Sequence, residues 1–160
     1  VILQDRRLGE DGELLDAAVG TQHGVLGRTL AVNGIVGPSF AATRRLTRFR
    51  ILNASPTRSY GIRREDGLEF ALIASDGGLL DRPHALERVD LSPGERAEIV
   101  LELEPGGDIT LISADPEPGA IPDPEEFGAL DSFEVPRVRA SPDPPDAESQ
   151  IGRAAGRARW

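Results

Sequence analysis

The sequence predicts an all-β domain, and three observations carry that prediction. Apolar and polar residues alternate with a period of two in several segments of the chain. These segments recur at a spacing of roughly 8–12 residues and are separated by turns that contain Gly, Pro or Asn. No stretch shows the apolar period of an amphipathic helix. The pattern is therefore typical of a β-sandwich or a β-barrel.

The first strand-like segment opens the chain, over Val1-Ile-Leu-Gln-Asp5. It lacks both an initiating Met and the basic leader of a signal peptide, so we expect the sequence to be part of a longer protein. The next segment, Thr29 to Pro38, contains Asn33-Gly34. That pair suits a type I′ hairpin, in which both central residues need a positive φ.

The segment from Leu46 to Leu52 is the next predicted strand, with Phe49 and Ile51 on the face opposite Arg48 and Arg50. Weaker alternation follows, at two pairs of positions: Phe70 and Leu72, and Val89 and Leu91.

Two further turns and one clear strand complete the periodic region. Asp66-Gly67 suits a second type I′ hairpin, and Ser92-Pro93-Gly94 suits a type II turn. The strand after that turn places its apolar residues on one face and its charged residues on the other. The apolar positions are Ala97, Ile99, Leu101 and Leu103, and the charged positions are Arg96, Glu98, Glu102 and Glu104.

Composition excludes several classes of function. The net charge of −9 opposes binding to nucleic acid, which requires a basic surface. With no Cys, the chain has neither disulfides nor thiolate chemistry. No apolar run reaches the ~20 residues that a membrane-spanning helix needs. All 18 basic residues are Arg. The sequence gives no information on the oligomeric state of the protein.

The chain divides into two compositional zones. The strand-like segments lie within residues 1–113, whereas the region from 113 onward holds 8 of the 13 prolines and five more acidic than basic residues. We therefore predict a folded domain over 1–113 and a Pro- and acid-rich interdomain linker or tail over 114–160. Pro124-Glu-Glu-Phe127 predicts a short helical turn within it.

Five motifs, in a fixed order, resemble the second cupredoxin-type domain of the multicopper oxidases. They are Leu3-Gln-Asp-Arg-Arg7, Gly27-Arg-Thr-Leu-Ala-Val-Asn-Gly34, Arg50-Ile-Leu-Asn-Ala-Ser55, Asp76-Gly-Gly78 and Leu91-Ser-Pro-Gly-Glu-Arg-Ala-Glu98. The similarity is to bacterial laccase-like and bilirubin-oxidase-like enzymes and to their copper-free, division-associated relatives. Two positions depart from the family pattern, Arg28 and Gly37. The resemblance implies a Greek-key β-sandwich or barrel of cupredoxin type.

The same resemblance implies that the chemistry resides elsewhere in the parent protein. In this family the copper ligands come from the first and third domains, as paired His and a Cys thiolate. This chain has no Cys and no His-x-His pair. We therefore predict no catalytic, cofactor-binding or metal-ligating residue in this segment, and copper only in the parent. The expected partners are the neighbouring cupredoxin domains of the same chain, in a periplasmic, cell-surface or secreted protein.

Two histidines and two short motifs are the remaining candidates for a site. His23 and His84 are isolated in sequence, which favours loop or surface positions over metal ligation. Asp76-Gly-Gly78, with Ser75 and Asp81 beside it, is interpreted as a turn rather than a catalytic group. Asn53-Ala-Ser55 matches a glycosylation sequon, but Asn53 is expected to satisfy backbone groups where the strand ends.

Charged residues form two further groups. The basic group is interpreted as a solvated strand face, with an anion-binding or docking face as the alternative; it comprises Arg44, Arg45, Arg48, Arg50, Arg63 and Arg64. Within it, the resemblance implies an interdomain ion pair for Arg50. The acidic group is expected to be one solvated strand face without acid–base function; it comprises Glu95, Glu98, Glu102 and Glu104.

The function predicted from the sequence is architectural. The segment is expected to space the copper-bearing first and third domains of a multicopper oxidase acting on phenolic, tetrapyrrole or metal-ion substrates. One alternative is the same domain in a copper-free scaffold of the cell envelope or division machinery. Another is a stand-alone binding sandwich whose acidic tail engages a partner.

Overall fold

A computed structural model describes residues 1–15, 24–114, 119 and 123–143. Over these residues the chain forms twelve strands and no helix. In chain order the strands are β1 (Ile2–Arg6), β2 (Thr29–Val32), β3 (Ile35–Val36), β4 (Ser39–Ala42), β5 (Leu46–Asn53), β6 (Tyr60–Arg64), β7 (Phe70–Ser75), β8 (Gly78–Leu86), β9 (Arg88–Leu91), β10 (Arg96–Glu102), β11 (Asp108–Ser113) and β12 (Phe133–Ala140). No helix in this part of the chain has the length and apolarity needed to cross a membrane.

The strands form two mixed sheets that pack face to face. The first has the order β3-β2-β1-β5-β10-β7-β8, and the second the order β4-β12-β11-β6-β9. Parallel pairing occurs between β1 and β5 and between β4 and β12, whereas the other neighbours are antiparallel. The all-β sandwich predicted from the sequence is confirmed.

The core lies between the two sheets and follows the alternation of the strands. In β10 the predicted inward residues Ala97, Ile99 and Leu101 are buried, and Leu103 follows them into the core. Facing them from the second sheet are the buried side chains of Ile62, Tyr60, Leu111 and Val138. Burying such aliphatic side chains contributes about 1.5–3 kcal/mol each.

Two of the three turns whose type was predicted have the expected geometry. Asn33 and Gly34 take φ values of 53° and 81° and join β2 to β3, as a type I′ hairpin requires. Gly94 has a φ of 87°, and the Glu95 amide donates to the Ser92 carbonyl at 3.0 Å, as in a type II turn.

The predicted hairpin at Asp66-Gly67 is wrong. Gly67 has a φ of 73°, but Asp66 does not take a positive φ. This turn joins β6 in the second sheet to β7 in the first, so it is a crossover between sheets rather than a hairpin. The Asp66 carboxylate accepts hydrogen bonds from the Arg64 guanidinium and from the Leu68 amide, which shapes the turn without a left-handed Asp66.

The predicted end of the folded domain at residue 113 is also wrong. Residues 133–140 form β12, which lies between β4 and β11 inside the second sheet. The sequence of this strand contains Pro136 and three charged residues, which obscured its period of two. A shift in register between Thr110 and Ile112 accommodates the extra residue in β12, as a β-bulge does. The interpretation of 144–160 as a linker or tail concerns residues outside the described ones.

Candidate functional site

The candidate catalytic and metal-binding residues are not brought together. His84 lies on the edge strand β8, where its Nε2 is 3.4 Å from the Asp81 carboxylate, and this hydrogen bond lowers the pKa of Asp81. His23 lies outside the described residues. Within the described ranges, no group of three or more His, Asp or Glu side chains could hold a metal ion. That the segment binds no copper stays a prediction.

Asp76-Gly-Gly78 turns the chain from β7 into β8, whose first residue is Gly78, as interpreted from the sequence. The Asp76 carboxylate accepts hydrogen bonds from the backbone amide and the guanidinium of Arg96, at 3.0 and 3.2 Å. It therefore fixes the start of β10 to the β7–β8 turn. Asp81 instead pairs with His84, so no catalytic constellation forms around Ser75.

Members of the two predicted groups of charged residues pair with each other on the outer face of the first sheet. Strands β5 and β10 are antiparallel neighbours, with Arg50 opposite Glu98 in the register. Glu98 accepts hydrogen bonds from Arg48 and Arg50, and Arg45 pairs with Glu102 at 2.6 Å. Because the arginine of each pair is open to solvent, each pair contributes about 0–1 kcal/mol. The face is solvated, as interpreted, but cross-strand pairing leaves little free charge on it.

The basic group is also not a single face. Arg63 and Arg64 belong to β6 in the second sheet, whereas Arg45, Arg48 and Arg50 lie on or next to β5 in the first. Arg64 is largely buried and bonds Asp66 through two nitrogens, which lowers the pKa of that carboxyl. Arg50, expected to pair with a neighbouring domain, contacts Glu98 at 2.9 Å within this domain.

The most organised polar group in the described chain is a buried cluster around Arg58, which the sequence did not point out. Arg58 is 1 % exposed, although arginine is rarely buried without a partner. Its Nε donates to Oδ2 of Asp5 at 3.2 Å, and its Nη2 donates to the Gly27 carbonyl at 2.7 Å. Its Nη1 contacts the Gly128 carbonyl and the Asp131 carboxylate, both at 2.5 Å.

Arg58 therefore joins three segments that are distant in sequence. Asp5 belongs to β1, Gly27 precedes β2, and Gly128 and Asp131 lie in the turn before β12. The guanidinium also stacks over the Phe133 ring, with its carbon 4.8 Å from the ring centroid. These contacts satisfy the buried charge in the way that a low-dielectric interior requires.

A second part of the cluster explains the Asn53-Ala-Ser55 motif. The Asn53 amide nitrogen donates to the carbonyls of Arg58 and Leu91, and its oxygen accepts from the Ser55 amide. Asn53 is fully buried, so it satisfies backbone groups, as expected, and does not present a glycosylation acceptor. The Ser55 hydroxyl accepts from the Asp5 amide at 2.9 Å and shares a 2.8 Å hydrogen bond with Tyr60.

The cluster has the chemistry of a structural element rather than of a catalytic site. Burial raises the pKa of Tyr60 far above its usual range, so the phenol stays protonated and cannot act as a base near neutral pH. Ser55 has no His or carboxylate base among its hydrogen-bond partners. One sequence signal could have indicated the cluster: Asp5 lies two residues after Leu3, at an inward-facing position of β1.

Comparison with known proteins places the domain among cupredoxin-like proteins. No protein-family model matches the chain. It is 39% identical over 115 residues to the cell division protein FtsP of Pectobacterium atrosepticum, a match that covers 72% of this chain and 24% of that protein. The FtsP of Proteus mirabilis is 40% identical over 113 residues, covering 71% and 24%. The chain thus spans about a quarter of the length of these curated relatives.

Solved structures agree on the fold. The 2F4 variant of the multicopper oxidase McoA from Aquifex aeolicus superposes with a TM-score of 0.79 at 29% identity, over 92% of this chain and 32% of that one. The laccase-like oxidase CueO of Ochrobactrum sp. gives a TM-score of 0.70 at 27% identity, over 93% and 34%. The domain accordingly has the cupredoxin-type fold of a multicopper oxidase domain.

Proposed function

We propose that this chain is the copper-free, architectural cupredoxin-type domain of a larger protein related to the division protein FtsP. The observation that carries the proposal is the identity of 39–40% to FtsP over most of the chain, combined with a sequence that contains no Cys and no His-x-His pair. The domain would hold its neighbouring domains in position through a rigid sandwich. An exported protein of the cell envelope is the expected setting.

Rigidity is the property of the domain that supports this role. The Arg58 cluster ties β1, the residues before β2 and the turn before β12 to one guanidinium. Both sheets are built from non-local strand pairs, such as β1 with β5 and β4 with β12. A rigid domain of this kind would keep the domains joined to it at a fixed distance, and it would need no catalytic residues to do so.

In the second candidate function, the chain is the domain that sets the distance between the copper-bearing domains of a copper-dependent oxidase. The structural similarity to McoA and CueO favours it, since both are multicopper oxidases by name. In that setting the domain would separate copper-bearing first and third domains, which couple substrate oxidation to the reduction of dioxygen. In both proposed functions the domain itself carries out no chemistry, and the two differ only in the parent protein that contains it.

Copper content of the whole parent protein distinguishes the two. The parent, expressed in copper-supplemented cells and purified, is expected to contain no stoichiometric copper, to lack the blue absorption of a copper thiolate, and not to oxidise phenolic dyes. A parent that retains several copper ions per chain and turns over phenols would refute the division-related proposal and establish the oxidase. In either parent, the 160-residue chain by itself is expected to bind no copper.

A genetic exchange tests the division role directly. The matching 115 residues of FtsP in Pectobacterium atrosepticum are replaced by this domain, and cell length is compared with that of wild-type and FtsP-deleted cells. We expect the chimera to restore wild-type cell length under conditions in which the deletion lengthens cells. A chimera that accumulates normally but divides like the deletion strain would show that the domain does not serve this function.

A further inference from the structure

The net charge of the chain is concentrated in two long connections. Residues 7–28, between β1 and β2, hold four acidic residues and two arginines, and residues 114–132, between β11 and β12, hold six acidic residues and no base. Together they carry a charge of −8 out of the −9 of the whole chain. The remainder of the chain is therefore almost neutral.

Both connections leave the sandwich at the same end. The first joins paired ends of β1 and β2, where Arg6 lies opposite Thr29, and the second joins paired ends of β11 and β12, where Ser113 lies opposite Phe133. Arg58 bonds the Gly27 carbonyl in the first connection and the Gly128 carbonyl in the second. One buried guanidinium thus joins the two connections. We call residues 7–15 and 123–131, which lie within their described parts and hold seven acidic residues and one arginine, the acidic end.

The acidic end also exposes large apolar side chains. Leu14 is 69% exposed, and Leu8, Leu15 and Leu130 are exposed to 37%, 45% and 44%. The same two segments carry exposed acidic side chains, of which Asp131 is also paired with Arg58: Glu10, Asp11, Glu13, Asp123, Glu125, Glu126 and Asp131. Exposed leucines in a polar surround are typical of surfaces that bind other proteins. Connections this long usually carry function, because most loops in compact domains are shorter than about 12–15 residues.

We propose that the acidic end is a docking surface for a separate protein that presents an arginine- or lysine-rich, partly apolar surface. Charge complementarity selects this partner, because the negative electrostatic potential of the acidic end repels nucleic acids, anionic lipids and a second copy of the chain. A permanent interface with a neighbouring domain is disfavoured, since the cores of permanent interfaces are depleted of charged residues. The contact is transient and electrostatically steered.

The proposal extends beyond the architectural role and does not depend on it. The sandwich supplies the rigid base, the leucines supply the apolar contact, and the carboxylates select a cationic surface. The outer face of the first sheet offers no equivalent docking surface for a cationic partner, because its carboxylates on β10 are already paired with Arg45, Arg48 and Arg50.

Peptide probes of defined chemistry test the docking surface on the 160-residue chain. Three short peptides of equal length alternate Arg with Leu, Arg with Ser, and Glu with Leu, and binding to the isotope-labelled chain is mapped by amide chemical shifts. We expect the Arg–Leu peptide to bind most tightly, to perturb residues 7–15 and 123–131 selectively, and to bind more weakly as salt is raised. Equal binding of the Arg–Ser peptide would overturn the proposal, because the leucines would then play no part.

Two matched triple variants distinguish docking from general attraction by net charge. Neutralising the acidic end with Glu10→Gln, Asp11→Asn and Glu13→Gln is expected to weaken binding of the Arg–Leu peptide by about tenfold, or about 1.4 kcal/mol. The control, Glu87→Gln, Glu104→Gln and Asp108→Asn, removes the same charge from exposed positions elsewhere and is expected to leave affinity within about twofold. Equal losses in both variants, or shifts spread over the sheet faces, would refute the surface.

Discussion

At the scale of single residues, two members of the buried polar cluster, Arg58 and Tyr60, can each be tested by substitution. Arg58 supplies the buried positive charge, and Tyr60 supplies a buried hydroxyl that bonds Ser55 at 2.8 Å. The Phe133 ring contacts both, edge-on to Tyr60 and beneath the Arg58 guanidinium. The contribution of each of these two side chains to the stability of the domain can be measured.

Replacing Arg58 with Ala leaves the Asp5 carboxylate buried and without its partner cation. Breaking a buried ion pair on one side costs about 3–5 kcal/mol. We expect a loss of that size in the free energy of unfolding, measured by urea denaturation. Arg50→Ala is the control, because Arg50 is 78% exposed and its pair with Glu98 should contribute no more than about 1 kcal/mol. Similar losses in the two variants would contradict the role assigned to Arg58.

Tyr60 is the only tyrosine in the chain, so phenolate absorbance reports on it alone. Burial, its main perturbation, raises its pKa in the folded state above the value near 10 of an unfolded chain. A raised pKa gives stability that is present below about pH 10 and is lost as the pH rises above it, because only the unfolded state releases the proton. We expect phenolate absorbance to appear together with unfolding, and Tyr60→Phe to remove this loss. Titration near pH 10 in a chain that remains folded would disprove the burial argument.

At the scale of elements, the connection before β2 depends on a close approach between two backbones. A Cβ at Gly27 would lie 2.6 Å from the carbonyl carbon and oxygen of Arg6 and closer still to its amide nitrogen, and all three are backbone atoms. The Gly27 amide donates to the Asp5 carboxylate at 2.5 Å, and its carbonyl accepts from Arg58. Glycine at this position therefore allows the first connection to reach the buried cluster.

Gly27→Ala is expected to destabilise the domain by about 1–3 kcal/mol, the usual cost of overpacking a tight contact. The matched control is Gly77→Ala in the β7–β8 turn, where a Cβ meets no atom within 4 Å and the φ is not in the left-handed region. That variant should be neutral or slightly stabilising, because alanine reduces the entropy of the unfolded chain. Thermal unfolding followed by circular dichroism measures both, and a neutral Gly27→Ala would show that the contact relaxes freely.

At the scale of the whole molecule, the fold is completed by a strand that lies far from the others in sequence. Strand β12 hydrogen-bonds to β11 on one side and to β4 on the other, and it contributes Val135 and Val138 to the core. Without it, β4 would lose its only partner strand in the described chain. The folded unit therefore extends at least to the end of β12.

Two truncations test where the domain ends. A chain that stops after Asp143 is expected to unfold in one cooperative transition, whereas a chain that stops after Ser113 should fail to fold, because the second sheet is interrupted and buried apolar side chains are uncovered. Heteronuclear NMR spectra distinguish the two by signal dispersion. A well-dispersed spectrum from the shorter chain would mean that β12 is dispensable.

Features that depend on local chemistry could be predicted from the sequence alone. Alternation over 96–103 predicted which side of β10 is buried, and Asn33-Gly34 predicted a hairpin, because period and turn type are set by neighbouring residues. The motifs also predicted the cupredoxin-type fold. The remaining features depend on contacts between residues that are distant in the chain. Asp66-Gly67 became a crossover because its flanking strands belong to different sheets, and β12 became a strand because two distant partners supply its hydrogen bonds. Arg58 became the centre of the buried cluster because folding brings Asp5, Gly27 and Asp131 to it, a convergence that no local pattern encodes.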